Sequence, residues 1–337
     1  MRITRETLLK VVRDTVSQRT RADRSLLSVY LCGSLLEEDY LLGGTADIDL
    51  FFIHADYEGQ PREIVHLTDD VHLDIAHHLY RDYRQARRLR VDPWFGPNLA
   101  RCQILHDPQH FLDFTQASVR GQFDSSEYVL ERARKHAEPA REAWLAFHTG
   151  ELQAGPEEVL DYFKALEQAA NAVASLNGAP LTERRFLLRF GQRAEAAGRP
   201  GLYPGLLGLL GAPNVDQDTL HAWLEAWQAA FDAVPAGDAP PRLHSPRRAY
   251  YLSAFESILR GEQPQAVLWP LLRTWTMAVD ALPVDAPARA AWQAAFERLG
   301  LQGSAFEERI AALDAYLDQV EETLEKWAEE MGLYLAR

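Results

Sequence analysis

Near the N-terminus the chain sets out a small group of residues whose types and order suit one kind of chemistry. Gly33-Ser34 closes an apolar run, twelve intervening residues lead to Asp47-Ile48-Asp49, and Asp74 follows inside Val71-His72-Leu73-Asp74-Ile75-Ala76. On a strand, side chains two apart share a face. Asp47 and Asp49 therefore point the same way over Ile48 and Leu50, and a neighbouring strand can add Asp74. Three clustered carboxylates repel one another unless a cation sits between them. Magnesium suits the role, because it takes carboxylate and phosphate oxygens and keeps some of its water. Two such ions complete a site for nucleotidyl transfer. One, on all three aspartates, would acidify an attacking hydroxyl; the other, on Asp47 and Asp49, would carry a triphosphate. Asp74 is then the natural general base. Gly33 lets the main chain approach the phosphates, and Ser34 offers a hydroxyl and an amide. Each part alone is weak, since D-x-D pairs and Gly-Ser turns are common; the three in order are not.

Such residues need strand ends to hold them, and the first third of the chain alternates helix and strand signals. Leu8, Leu9, Val11, Val12 and Val16 mark a helix over residues 4–19. Strands are expected over 25–32, 48–54, 71–77 and 101–106, with a very basic helix over 79–90. Asp107-Pro108 makes a turn into a helix that runs to about 120. Beyond 120, Ala, Leu, Glu, Arg and Trp recur at helical spacing. Helices are expected over 125–149, 156–176, 182–197, 216–233, 245–260, 264–281, 286–299 and 304–332. They are broken at Gly150, Asn177-Gly178, 198–201 and 235–241. The glycine-rich stretch 201–213 reads as a buried connection. The fold class expected is α+β: a small mixed sheet with helices over 1–120, then an all-helical domain over 121–337.

Length and composition agree with two soluble domains. The chain has 337 residues, 47% hydrophobic and 25% charged. Its net charge of −14 argues against a surface built to hold nucleic acid and suits a polycationic substrate. Cys32 and Cys102 make neither a disulfide framework nor a cysteine zinc site and read as core thiols. The N-terminus has no apolar signal core and no stretch approaches a membrane span, so a cytoplasmic protein is expected.

The order of apolar strand, Gly33-Ser34, Asp47-Ile48-Asp49-Leu50 and Leu73-Asp74-Ile75 resembles the nucleotidyltransferase superfamily that includes DNA polymerase β. The helical extension resembles the arrangement in aminoglycoside nucleotidyltransferases and related bacterial adenylyltransferases. Gln103-Ile104-Leu105-His106-Asp107-Pro108 resembles the strand and turn that close that minimal domain. The likeness covers residues 25–120 and identifies no subfamily. It implies transfer of a nucleoside monophosphate, most often AMP from ATP, to a hydroxyl. Gly33 and Ser34 carry over as phosphate contacts, and Asp47, Asp49 and Asp74 as metal ligands for two magnesium ions. The expected partners are an NTP and a small-molecule acceptor, aminoglycoside-like given the acidic charge, bound in a cleft between the domains; a homo-oligomer stays open. Transfer of AMP to a protein or RNA, and nucleotide binding without transfer, are the alternatives.

Other residues invite functional readings beside simpler ones. His72, His77 and His78 flank Asp74, but magnesium does not need imidazole. Arg81, Arg84 and Arg88 would share a face of the basic helix, along with Arg87 and Arg90 nearby. In the helical region Arg184-Arg185, Arg247-Arg248 and Lys164 with Tyr162 are candidate phosphate contacts. Glu131, Glu138 and Glu142 are candidate acceptor-side bases. The tryptophans, among them Trp144, Trp223, Trp227, Trp269, Trp275 and Trp292, fall mostly on apolar stripes and read as core.

Overall fold

The computed structural model describes residues 3–150, 155–235 and 239–333. Helix α1 (Arg5–Ala22) begins where Thr4 accepts a hydrogen bond from the Thr7 amide at 3.2 Å, satisfying one of the orphan donors of the first turn. Its buried stripe is Leu8, Val12 and Val16. Strands β1 (Leu26–Cys32), β2 (Ala46–His54), β3 (Arg62–Thr68) and β4 (Val71–Leu79) follow. Then come α2 (Ala86–Arg90), α3 (Phe95–Arg101), β5 (Gln103–His106) and α4 (Phe111–Arg120). The sheet order is β3-β4-β2-β1-β5, with β2 parallel to β4 and the other pairs antiparallel.

Each face of the sheet has its own core. Val29, Leu31, Ile48, Leu50, Phe52, Leu73 and Ile75 pack with the α1 stripe. Tyr30, Cys32 and Ile53 pack on the opposite face with Tyr83, Leu89, Leu99, Leu112 and Val119. Burial of Ile48, Leu50 and Phe52 contributes about 1.5–3 kcal/mol each. It also fixes the register, because a slip of one residue would drive Asp47 and Asp49 into the α1 core.

Several expectations are corrected here. The sheet has five strands: β3 was not expected, because its residues are mostly exposed and interrupted by charge. The basic helix over 79–90 is two pieces, a 3₁₀ turn Tyr80–Tyr83 and the short α2, since Tyr83 turns inward to the core and Gln85 leaves helical geometry. Arg81, Arg84 and Arg88 therefore do not share one continuous helix face. Arg101 ends α3 rather than opening β5.

The chain divides into two compact units, residues 1–125 and 126–337. Among the described residues the second contains helices and 3₁₀ turns without strand. These are α5 (Ser126–Thr149), α6 (Pro156–Ala174), α7 (Phe186–Ala196), α8 (Leu202–Leu209), α9 (Gln217–Asp232), α10 (Arg247–Leu259), α11 (Leu268–Asp280), α12 (Ala288–Leu299) and α13 (Ser304–Glu330). Of the expected break at 235–241, residues 236–238 lie outside the described ones. The stretch read as a buried connection contains α8 instead. A Cβ added to Gly205 would come within 3.3 Å of the Tyr316 ring, and Arg309 donates to the Gly208 carbonyl at 2.8 Å. Burial of Leu202, Leu206 and Leu209 against such neighbours outweighs the poor helix propensity of glycine. Trp227, Trp269, Trp275 and Trp292 are fully buried. Among the described residues no helix is long and apolar enough to cross a membrane.

Candidate functional site

Strand register decides which acidic residues meet. In the parallel pairing of β2 with β4, Asp49 stands opposite Asp74 and Asp47 opposite His72. Burial alternates along β2: Asp47, Asp49 and Phe51 are half-buried, while Ile48, Leu50 and Phe52 are buried on the other face. Partners in register project to the same side of a sheet. Asp47, Asp49 and Asp74 thus occupy one face, away from α1.

Gly33 joins them from the end of β1, where Cys32 pairs with Asp49. Its φ of 75° and ψ of −162° belong to a region that is essentially glycine's alone. A Cβ there would lie 1.8 Å from Asp49 Oδ2, so only a glycine lets the main chain lie this close to the carboxylate. Ser34 opens the 3₁₀ turn Ser34–Leu36 and its Oγ donates to the Tyr40 carbonyl at 3.4 Å, a long bond.

Asp74 is almost wholly buried, and Arg62, which the sequence reading missed, holds both of its oxygens. The Arg62 Nε donates to Oδ1 at 2.6 Å and Nη2 to Oδ2 at 2.5 Å. Arg62 lies on the edge strand β3, opposite Ala76 and two residues from Ile64, the partner of Asp74. It can therefore reach diagonally across one face. Among the described residues no three His, Cys, Asp or Glu side chains converge closely enough to hold a metal ion. The donor set itself suits magnesium: three hard carboxylates on one face, with Cys32 held protonated because burial pushes its thiol well up.

The histidines take other partners. His72 is buried, with Nε2 3.3 Å from His66 Nδ1. His77 Nδ1 is 2.9 Å from His54 Nε2, and the chain continues to Asp23 (3.3 Å from His54 Nδ1) and Glu63 (3.6 Å from His77 Nε2). Burial lowers the pKa of both rings. His78 Nδ1 bonds Tyr83 Oη at 2.7 Å, Tyr83 bonds Tyr30 at 2.8 Å, and burial pushes His78 down to about 4.

In the helical unit two of the four arginine candidates are packed inside, while Arg185 is half-buried and Arg248 exposed. Arg184 and Arg247 are buried, and both lie over the Tyr250 ring, at 3.5 and 4.4 Å from its centroid. Arg248 pairs with Asp232 at 2.7 Å. Tyr162 is buried, donating to the Leu209 carbonyl, while Lys164 is exposed. Lys164 lines a groove of about 340 Å³ between α5 and α6 with Glu142, Asp161 and Gln168. Glu138 and Glu142 also border a second groove between α5 and α13, and Glu131 pairs with Lys135 at 3.2 Å.

The chain matches no family model and no curated protein sequence. The superfamily resemblance therefore rests on the motif residues alone.

Proposed function

We propose that the N-terminal unit is a metal-dependent nucleotidyltransferase that moves a nucleoside monophosphate, AMP from ATP, to a hydroxyl of a small-molecule acceptor. The observation that carries this reading is the close packing of the Gly33 main chain on Asp49, whose strand partner is Asp74. Such packing has little use in a surface turn, where any residue would serve. It is what a site needs if backbone amides and carboxylate-held cations must reach one triphosphate.

Asp47, Asp49 and Asp74 would hold the magnesium ions, which supply charge neutralisation at the phosphates and lower the pKa of the acceptor hydroxyl. The chain's own residues would do the rest. Gly33 leaves room for the β- and γ-phosphates; Ser34 exchanges its long bond to Tyr40 for a phosphate oxygen; Asp74 takes the acceptor's proton. The apolar faces beneath β2 and β4 keep the carboxylates in register through this.

Calorimetric titration of ATP, CTP, GTP and UTP, with and without magnesium, tests the reading in wild type and Asp49→Ala. Magnesium-dependent binding of one nucleotide, lost in the variant, is expected. Binding that ignores both magnesium and Asp49 would overturn it. Binding followed by no labelled product from any hydroxyl acceptor would reduce the protein to a nucleotide binder.

A further inference from the structure

The bidentate grip of Arg62 on Asp74 conflicts with a role for Asp74 as a metal ligand. The two hydrogen bonds between them use the oxygens a metal would need. The guanidinium fork matches both carboxylate oxygens at 2.5–2.6 Å, the geometry of a strong charge-assisted pair. It also supplies a positive charge where three carboxylates share a face.

The two partners are held very differently. Asp74 sits in β4, paired on both sides, with 6% of its side chain exposed. Arg62 is 43% exposed and belongs to β3, which has a neighbour on one side only and whose residues are partly or wholly exposed. An exposed arginine on a one-sided ladder can leave its partner and be solvated at once, whereas the carboxylate cannot move. The pair is thus built to open on the arginine side.

Resting on the nucleotidyltransferase reading, we propose that Arg62 is an internal cation that competes with the divalent metal for Asp74. It closes the third ligand position until metal displaces it. A structural ion pair would instead hold Asp74 for the metal, and the two roles predict opposite changes when Arg62 is removed.

Mn²⁺ binding to the full chain, read by electron paramagnetic resonance of the free ion, separates them. Arg62→Gln is expected to bind Mn²⁺ about tenfold or more tightly than wild type, the size of one charge-assisted hydrogen bond. Arg62→Lys, which keeps the charge without the fork, falls between. Adding Asp74→Asn to Arg62→Gln abolishes the gain. Equal or weaker binding by Arg62→Gln, with wild-type binding that still depends on Asp49, overturns the competition and leaves the nucleotidyltransferase reading standing. Wild-type binding unchanged by Asp49→Asn, or no binding by any of the proteins, overturns both. If Arg62→Gln does not fold by circular dichroism, the comparison of Arg62→Lys with wild type decides: unchanged or weaker binding overturns the proposal.

Discussion

At Gly33 the backbone geometry and the 1.8 Å approach of a hypothetical Cβ to Asp49 make two separate demands on one residue. Gly33→Ala is expected to cost about 1–3 kcal/mol in backbone strain, and to push Asp49 out of place besides. Urea denaturation should show the loss, and titration of magnesium-ATP should show no binding; wild-type behaviour in both would contradict the packing argument. His78 gives a prediction in pH. Its folded pKa of about 4 lies below the ordinary histidine value, so the unfolded chain takes up a proton first and stability falls as pH drops from about 6.5 towards 4. Between pH 7 and 5 this ring alone removes about 2 kcal/mol, with His54 and His77 acting in the same direction. A urea midpoint unchanged over that range would refute it. Asp47, Asp49 and Gly33 were legible because alternation along β2 and a glycine after an apolar run are local signals. Arg62 was not: its partner lies on another strand, and nothing in Arg62-Glu63-Ile64 says which carboxylate a surface arginine will meet.

Elements with an apolar stripe were readable to within a few residues, as in α1, α5 and α9, because burial of that stripe is what makes them helices. Strand β3 was hidden by its place at the sheet edge, where exposed charges replace alternation. The one available cue was Asp69-Asp70, a two-residue turn between Thr68 and Val71. Helix α8 was hidden for the opposite reason, since its Gly205 serves close packing against the Tyr316 ring rather than a turn. Packing between helices can also rest on charge. Arg141 on α5 reaches three carboxylates of α13: Asp314 at 2.5 Å, Asp318 at 2.7 Å and Glu321 at 2.8 Å. Its guanidinium lies 5.2 Å from the Trp144 ring. The carboxylates are largely exposed, so water and salt weaken the whole. Arg141→Met keeps the apolar stem but leaves three acids on one helix face, and should cost about 1–2 kcal/mol. Most of that difference should vanish in about 1 M salt, where the Debye length falls to ~3 Å. A melting-temperature difference that persists undiminished would assign the effect to packing instead.

For the whole molecule, the distribution of charge says more than its total. Residues 1–125 carry 15 Lys and Arg against 19 Asp and Glu, and residues 126–337 carry 20 against 30. Ten of the fourteen net negative charges therefore belong to the helical unit, which also holds the grooves lined by Glu138, Glu142 and Asp161. The unit with the proposed triphosphate site is nearly balanced, as it must be if a polyanion is to enter it without a large repulsion. On the proposed transfer reading, such a partition would attract an acceptor of opposite sign to the helical unit. On the transfer reading, kcat/KM for a polycationic acceptor should fall roughly tenfold between low and moderate salt, because steering over several ångströms is screened there. A neutral polyol acceptor in the same assay should lose little. The comparison needs only labelled ATP and two acceptor classes over a salt series. Equal salt dependence for both would mean that the acidic charge of residues 126–337 plays no part in acceptor choice, and the search would move to uncharged hydroxyl compounds.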